Sequence, residues 1–413
     1  MLIKLRDEEQ PILSRPITDD EAAWIVSIGL LVGLSVLFVS GILMDNLGRK
    51  TTLIISYVPR LLFCFLAIFS TEYWMLLLGR AFAGMADLLS LSAVSTYTSE
   101  VANKEIRGSS GTMTQINSAI GMLIMFGVGP FVSYLTMNIL MTCIAGAALT
   151  SKSIEVLTFL HGSEHLAHEE INGYSNRNIE EVVNKWELLK DRTIIKTILM
   201  VFMLSFGLQI SGYNAVNYYL QTIFESANTT VSSEISSLII GVIQLLACFC
   251  AFVLTNQFRR KPIICTSLVG IFIGMIGLGT FFTIMENGTD ITGFLNYLPL
   301  ISVAFVIFGY NAGIGSLIWM LVAELLYGPV RAYGMSLGIL TTALTTFCIT
   351  LFFPTLNTAI GASGTYWTFS AGCALVCVYI AVFVPETKDK TFAEIQTALG
   401  KRDSVAKDGA MKA

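Results

Sequence analysis

The stretch GILMDNLGRK (residues 41–50) separates two strongly apolar runs, AAWIVSIGLLVGLSVLFVS (22–40) and TTLIISYVPRLLFCFLAIFS (51–70). Each run is long enough to cross a hydrocarbon core of about 30 Å as a helix. The ten residues between them carry one carboxylate and two cations beside a glycine, so they read as a charged turn at a membrane surface.

Apolar residues make up 54% of the chain and charged ones 13%, against roughly 45–50% and 25% in ordinary soluble domains. Further runs of similar length predict spans at 22–44, 50–70, 73–97, 109–130, 134–150, 193–224, 234–257, 262–284, 295–321, 332–354 and 364–384. These eleven helices make an all-α polytopic membrane protein. The first 21 residues are polar and lack the apolar core of a cleavable signal peptide. Residues 151–192 read as a polar linker with short helices, and 385–413 as a polar tail.

Lys and Arg set the orientation. Loops after alternate spans carry Arg49/Lys50, Lys104/Arg107, the cations from Lys152 to Lys196, Arg259/Arg260/Lys261, Arg331 and those of the tail. The other loops, near residues 71, 132, 228, 288 and 360, carry none. The first set and the C-terminus are therefore expected in the cytoplasm, and residues 1–21 outside. The glycosylation sequons at Asn228 and Asn287 both fall in the cation-free loops.

An internal repeat organises the chain. A basic break at 45–50, a pair of spans and then SEVANKEIRG place Glu100 seven residues before Arg107. A second basic break at 256–261, another pair and AELLYGPVRA place Glu324 seven residues before Arg331. Two spans precede the second break and one precedes the first, so the symmetric count is six plus six with the first helix missing. On this reading 22–150 is an incomplete N-terminal bundle and 193–384 a six-helix C-terminal bundle.

These features resemble the sugar porter family of the major facilitator superfamily, and in wording insect facilitated trehalose transporters. Its loop pattern is matched by Gly41, Asp45, Gly48, Arg49 and Lys50, and its later R-G by Arg107-Gly108. Its seventh-helix motif is matched by LQISGYN (208–214) and its terminal motif by PETKDKTFAEI (385–395). The resemblance implies two pseudo-symmetric helical bundles that rock about a midplane sugar site. It implies a cytoplasmic gate of Asp45, Arg49, Glu100, Arg107, Glu324, Arg331 and Glu386, closed by charge-assisted bonds. Lys104 and Arg260 read instead as loop cations facing anionic lipid.

A sugar presents hydroxyls, which amides and aromatic rings bind without a fixed charge. At about 100° per residue, Gln209, Tyr213, Asn214, Asn217 and Gln221 share an arc of about 140° on an unbroken helix. Gly207 and Gly212 are placed to loosen that helix. The resemblance assigns sugar contacts to Gln209, Asn214, Gln115 and Trp319. Arg60 and Asp87 lie near mid-span, where a bare charge costs at least about 2.5–3.5 kcal/mol. Asp87 is expected to pair with Arg60 or with Arg80.

Several positions depart from the family. The sixth span is short, about 24 Å from Tyr134 to Leu149 at about 1.5 Å per residue. The tenth-helix motif reads GSLIW without its prolines, which predicts a weakened break, and Thr342-Ala343 replaces an Asn-Trp pair.

The leading expectation is a facilitative plasma-membrane carrier of trehalose or a hexose, with lipid and sugar as its partners. The alternatives are a transport-incompetent sensor or partner that keeps the fold, and a proton-coupled symporter. No nucleic-acid partner, cofactor or metal is expected: His161, His165 and His168 sit in the polar linker, and the eight cysteines all lie in apolar runs. No nucleophile–base pair points to an enzyme.

Overall fold

A computed structural model describes residues 13–101, 107–146, 192–227, 231–289, 291–326, 330–388 and 390. Residues 151–191 of the expected linker at 151–192, Asn228 and the tail beyond 390 lie outside the described residues. Helix α1 (Asp19–Leu47) opens with a reciprocal cap. Thr18 Oγ1 accepts from the Glu21 N–H at 3.3 Å, and the Glu21 carboxylate accepts from the Thr18 N–H at 3.0 Å. Arg15 pairs with the same carboxylate at 2.5 Å. Upstream, Leu13 and Ile17 are buried with Ala22, Ile25, Ala67 and Leu76. The Ser14 N–H donates to the Thr71 carbonyl at 2.9 Å. Residues 13–18 thus pack at the end of α1 that meets the cation-free loop near residue 71.

The charged turn resolves around Gly48. Its φ of +81° ends α1 without the steric cost a Cβ would add, and Arg49 begins the next helix. There follow α2 (Arg49–Ile55), α3 (Tyr57–Ile68), α4 (Tyr73–Val101), α5 (Arg107–Val128) and α6 (Tyr134–Gly146). The expected span at 193–224 is three successive helices: α7 (Arg192–Ile210), α8 (Tyr213–Tyr218) and α9 (Leu220–Ala227). Next come α10 (Ser233–Gln257), α11 (Arg260–Glu286), a 3-10 turn (Gly293–Tyr297), α12 (Leu298–Ala312) and α13 (Ile314–Leu325). The last, α14 (Val330–Phe383), bends at Gly361, where φ is +79°, so it supplies two spans. Each of the eleven expected spans coincides with helix among the described residues.

The chain forms two compact units. The first comprises 1–182, 214–242 and 343–362; the second comprises 183–213, 243–342 and 363–413. In the first, α1 packs on α4 through glycine. A Cβ at Gly33 would lie 2.7 Å from both the Gly84 carbonyl and the Leu88 side chain, so the small residue permits the approach. Hydroxyl pairs add polar links between α4 and its neighbours. Ser40 meets Ser92 at 3.1 Å, and Ser56 meets Ser90 at 2.7 Å. In the second unit α11 packs on α12, where a Cβ at Gly274 would fall 2.5 Å from the Ser302 carbonyl. Exposed apolar side chains such as Leu375, Val378 and Val382 stand along α14. A membrane span presents such a face to lipid, which carries no penalty for it.

Candidate functional site: a broken helix bearing buried amides

The α7–α8 break is built by Ser211 and Gly212. The Gly212 backbone has φ +77°, and a Cβ there would fall 2.5 Å from the Phe369 ring. Only glycine satisfies both conditions. The carbonyls released at the break are taken up locally. The Gly212 N–H donates to the Gln209 carbonyl at 3.1 Å, Ser211 Oγ donates to the Leu208 carbonyl at 2.6 Å, and Cys373 Sγ donates to the Ser211 carbonyl at 3.4 Å. The expected loosening at Gly212 is thus a true interruption, whereas Gly207 remains helical and packs against Val376.

The interruption corrects the unbroken polar arc. Gln209 is buried at the end of α7 and Tyr213 begins α8, so the regular 100° phasing does not carry across. In the second unit Tyr213 is buried and stacks on Tyr310, with ring centroids 3.4 Å apart and planes 2° from parallel. Its hydroxyl accepts from Asn311 Nδ2 at 3.3 Å. Trp319, half-buried on α13, lies beside Gly338, where a Cβ would fall 3.6 Å from the indole. In the first unit Asn214 Nδ2 donates to Thr346 Oγ1 at 3.4 Å, and Gln115 is half-buried on α5. The Asn217 amide oxygen is buried with no hydrogen-bond partner. Such an acceptor costs about 1–3 kcal/mol until a donor reaches it.

A second break corrects the reading of GSLIW. Without either proline, the chain still interrupts its helix at Gly313, where φ is −143° and ψ is −89°. Ser267 of α11 bridges the gap. Its hydroxyl donates to the Gly309 carbonyl at 2.6 Å and accepts from the Ile314 N–H at 2.9 Å. Ser316 Oγ satisfies the Asn311 carbonyl at 2.9 Å. Freed backbone groups at membrane depth are tolerated when side chains satisfy them in this way.

At the N-terminus of α11, Glu324 forms an ion pair with Arg260. Arg260, which reads from sequence as a plain loop cation, is therefore a partner of one expected gate residue. The Glu386 carboxylate accepts from the backbone N–H groups of Arg260 and Lys261, both at 3.2 Å. It also accepts from those of Thr387 and Lys388, both at 3.1 Å. Glu386 thus caps the N-terminus of α11, where Arg259 offers no side-chain cap. The two carboxyls shift in opposite directions. Burial pushes Glu324 above the usual range despite the attraction of Arg260. Burial also opposes ionisation of Glu386, but the four backbone donors outweigh it and hold the carboxyl below that range. Asp45, Arg49, Glu100, Arg107 and Arg331 lie on helical backbone, with side chains outside the described residues.

Arg60 Nη2 meets Asp87 Oδ1 at 2.5 Å, which realises one of the two expected pairings. Arg80 adds its charge to the same carboxylate and lies over the Phe63 ring, 5.7 Å from its centroid. Asn287 is exposed in the turn after α11. Sequence reasoning passed over Tyr310, Asn311, Ser267 and Gln244. The signal available for the last three was a polar side chain inside an apolar run; Gln244 is buried with an amide oxygen that lacks a partner.

The family model described as "Sugar (and other) transporter" matches residues 6–150 and 148–399. The chain belongs to this family. It is 29% identical over 408 residues to the facilitated trehalose transporter Tret1 of Polypedilum vanderplanki, covering 93% of this chain and 81% of that one. It is 28% identical to Tret1 of Anopheles gambiae, covering 96% of this chain and 52% of that one, about half its length. Among solved structures, the inward-open xylose transporter XylE from E. coli superposes with a TM-score of 0.70 at 19% identity, covering 92% of this chain and 89% of XylE. The fold is that of the major facilitator superfamily.

Proposed function

We propose that the protein is a facilitative carrier that moves trehalose or a hexose across the plasma membrane by alternating access, with its C-terminus in the cytoplasm and no enzymatic activity. The observation that carries this reading is the Asn217 amide oxygen, buried and without a partner, one helical turn beyond the Gly212 interruption. A sugar hydroxyl is a donor of the right kind for it, and a neutral amide lets the ligand leave again. Membership of a sugar transporter family and the names of the trehalose-transporting relatives support the same substrate class.

In this proposal the sugar-contacting residues are Gln115, Gln209, Tyr213, Asn214, Asn217 and Trp319. Glu324 and Glu386, with Arg260, belong to the cytoplasmic gate, alongside Asp45, Arg49, Glu100, Arg107 and Arg331. Asn228 and Asn287 carry N-linked glycans on the outer side.

Uptake of labelled trehalose and glucose into vesicles containing the full chain tests the reading. Saturable uptake of one sugar, lost in Gln209→Ala and weakened in Asn217→Ala, is expected. Correctly inserted protein that takes up neither sugar overturns it and returns the sensor or partner reading.

A further inference from the structure

Asn311 links the two breaks. It lies on the last turn of α12, just before the interruption at Gly313, and its carbonyl accepts from Ser316 Oγ across that interruption at 2.9 Å. Its side chain reaches the other one. Nδ2 donates to the hydroxyl of Tyr213, the residue that follows Gly212, at 3.3 Å. Its chain neighbour Tyr310 stacks on the Tyr213 ring, with centroids 3.4 Å apart and planes 2° from parallel. Tyr213 and Asn311 are both buried. The end of α12 thus holds Tyr213 by its face and by its oxygen.

The Asn311 amide has one acceptable orientation. Nδ2 also donates to the Ile307 carbonyl at 2.9 Å, and the flipped amide would set Oδ1 against that carbonyl, acceptor to acceptor. In the orientation that remains, Oδ1 faces the Cys248 thiol at 4.0 Å. The Tyr213 oxygen is therefore an acceptor toward Asn311, and its own O–H points away from that amide.

Resting on the carrier reading, we infer that Asn311 is a positioning residue of the sugar site, fixing the Tyr213 phenol so that it meets the sugar as a hydrogen-bond donor of set direction. The amide acts through Tyr213 and does not itself touch the sugar. Stacking alone does not hold the ring in place. Atoms in contact stay about 3.5–4.0 Å apart, so centroids at 3.4 Å leave no room for an offset. Aromatic pairs prefer an offset or tilted arrangement to this face-to-face one. The bond from Asn311, at the end of the ring far from the backbone, opposes that slide. A phenol ordered in advance spares the sugar the cost of ordering it.

The test uses the full chain in vesicles, with labelled trehalose and glucose as probes. Asn311→Leu removes the donor and keeps a side chain of similar shape. The KM for uptake is expected to rise about three- to tenfold, the worth of one hydrogen bond, with Vmax little changed. A merely structural defect does the reverse: it lowers the number of active carriers, and with it Vmax, and leaves KM alone. Tyr213→Phe should raise KM at least as much, and Asn311→Leu added to it should do nothing further, because the oxygen that Asn311 holds is already gone. An unchanged KM in Asn311→Leu overturns the inference, as do KM increases that multiply in the double variant.

A second readout needs no transport. Fluorotyrosine placed at position 213 reports the ring through its fluorine NMR shift, which the stacked Tyr310 ring perturbs. One resonance is expected in wild type, and a displaced or split one in Asn311→Leu. Wild-type protein that takes up neither sugar defeats the carrier reading, and the fluorine signal then decides the positioning role: identical spectra for wild type and Asn311→Leu overturn it. Asn311→Ser, whose hydroxyl stops short of the phenol, is read in the same two ways should the leucine variant fail to fold.

Discussion

Ser267 Oγ donates to the Gly309 carbonyl at 2.6 Å, across the interface between α11 and α12. The same oxygen receives the Ile314 N–H on the far side of the break, so one side chain satisfies two backbone groups that the interruption at Gly313 releases. Proline is therefore not needed to break this span. A glycine and a serine supplied by the neighbouring helix do the same work.

Replacing Ser267 with alanine leaves both backbone groups buried without this partner. The expected loss is about 1–3 kcal/mol, seen as a lower melting temperature in detergent. Thr266→Ala is the control, because the Thr266 hydroxyl bonds only to the Pro262 and Ile263 carbonyls of its own helix. Equal melting temperatures for the two variants would refute the bridging role.

Gly212 and Gly288 share a similar backbone, with φ of +77° and +74°. They differ in surroundings: a Cβ at 212 meets the Phe369 ring at 2.5 Å, whereas one at 288 meets nothing within 4 Å. Alanine at 288 should cost only the left-handed penalty, about 1–2 kcal/mol. Alanine at 212 should cost that plus the displacement of an aromatic ring from α14. In the proposed carrier it should also reduce uptake, because Gln209 and Asn217 flank the break. Similar stability losses for the two variants would mean that Phe369 yields freely.

The spans were legible because a bilayer demands long apolar runs. Gly212 was legible too, as a glycine between polar residues. Three things were not. The phase of Tyr213 depends on a helix that stops at Ile210, and periodicity assumes continuity. The partner of Arg260 lies 64 residues away on another helix, a separation no local pattern encodes. The break at Gly313 was underestimated because its support comes from Ser267 on a different element.

Glu324 and Glu386 give the stability a pH dependence of two signs. Glu324 titrates above its ordinary value of 4.5. Its ionised form costs stability above that value, and the cost disappears as pH falls through the raised pKa. Relative to wild type, Glu324→Gln should therefore gain stability as pH rises through the raised pKa and lose that gain on acidification, on top of a pH-independent cost for leaving Arg260 without its counter-ion. Glu386 titrates below its ordinary value. Its contribution is present above the unfolded-state pKa and is lost as pH falls through the depressed one, so Glu386→Gln should be least favoured at neutral pH. Melting temperatures of the three proteins across the acidic range check both signs. A common slope for the two variants would contradict the opposite shifts.

Arg60 and Asp87 hold opposite charges 2.5 Å apart inside apolar spans, with Arg80 close enough to add to the field at Asp87. Removing either partner leaves a charge in hydrocarbon without its counter-ion, whereas removing both leaves none. The ordering of three variants follows. Arg60→Met and Asp87→Leu should each reduce the yield of monodisperse, membrane-inserted protein, and the double variant should recover part of the loss. Arg80 breaks the symmetry between the single variants. It still faces Asp87 after Arg60→Met, so that change should be the milder, and Asp87→Leu, which leaves two guanidinium groups without a carboxylate between them, the more severe. Size-exclusion profiles of the three variants beside wild type measure this directly. A double variant worse than either single one, with losses that simply add, would show that the two residues act independently.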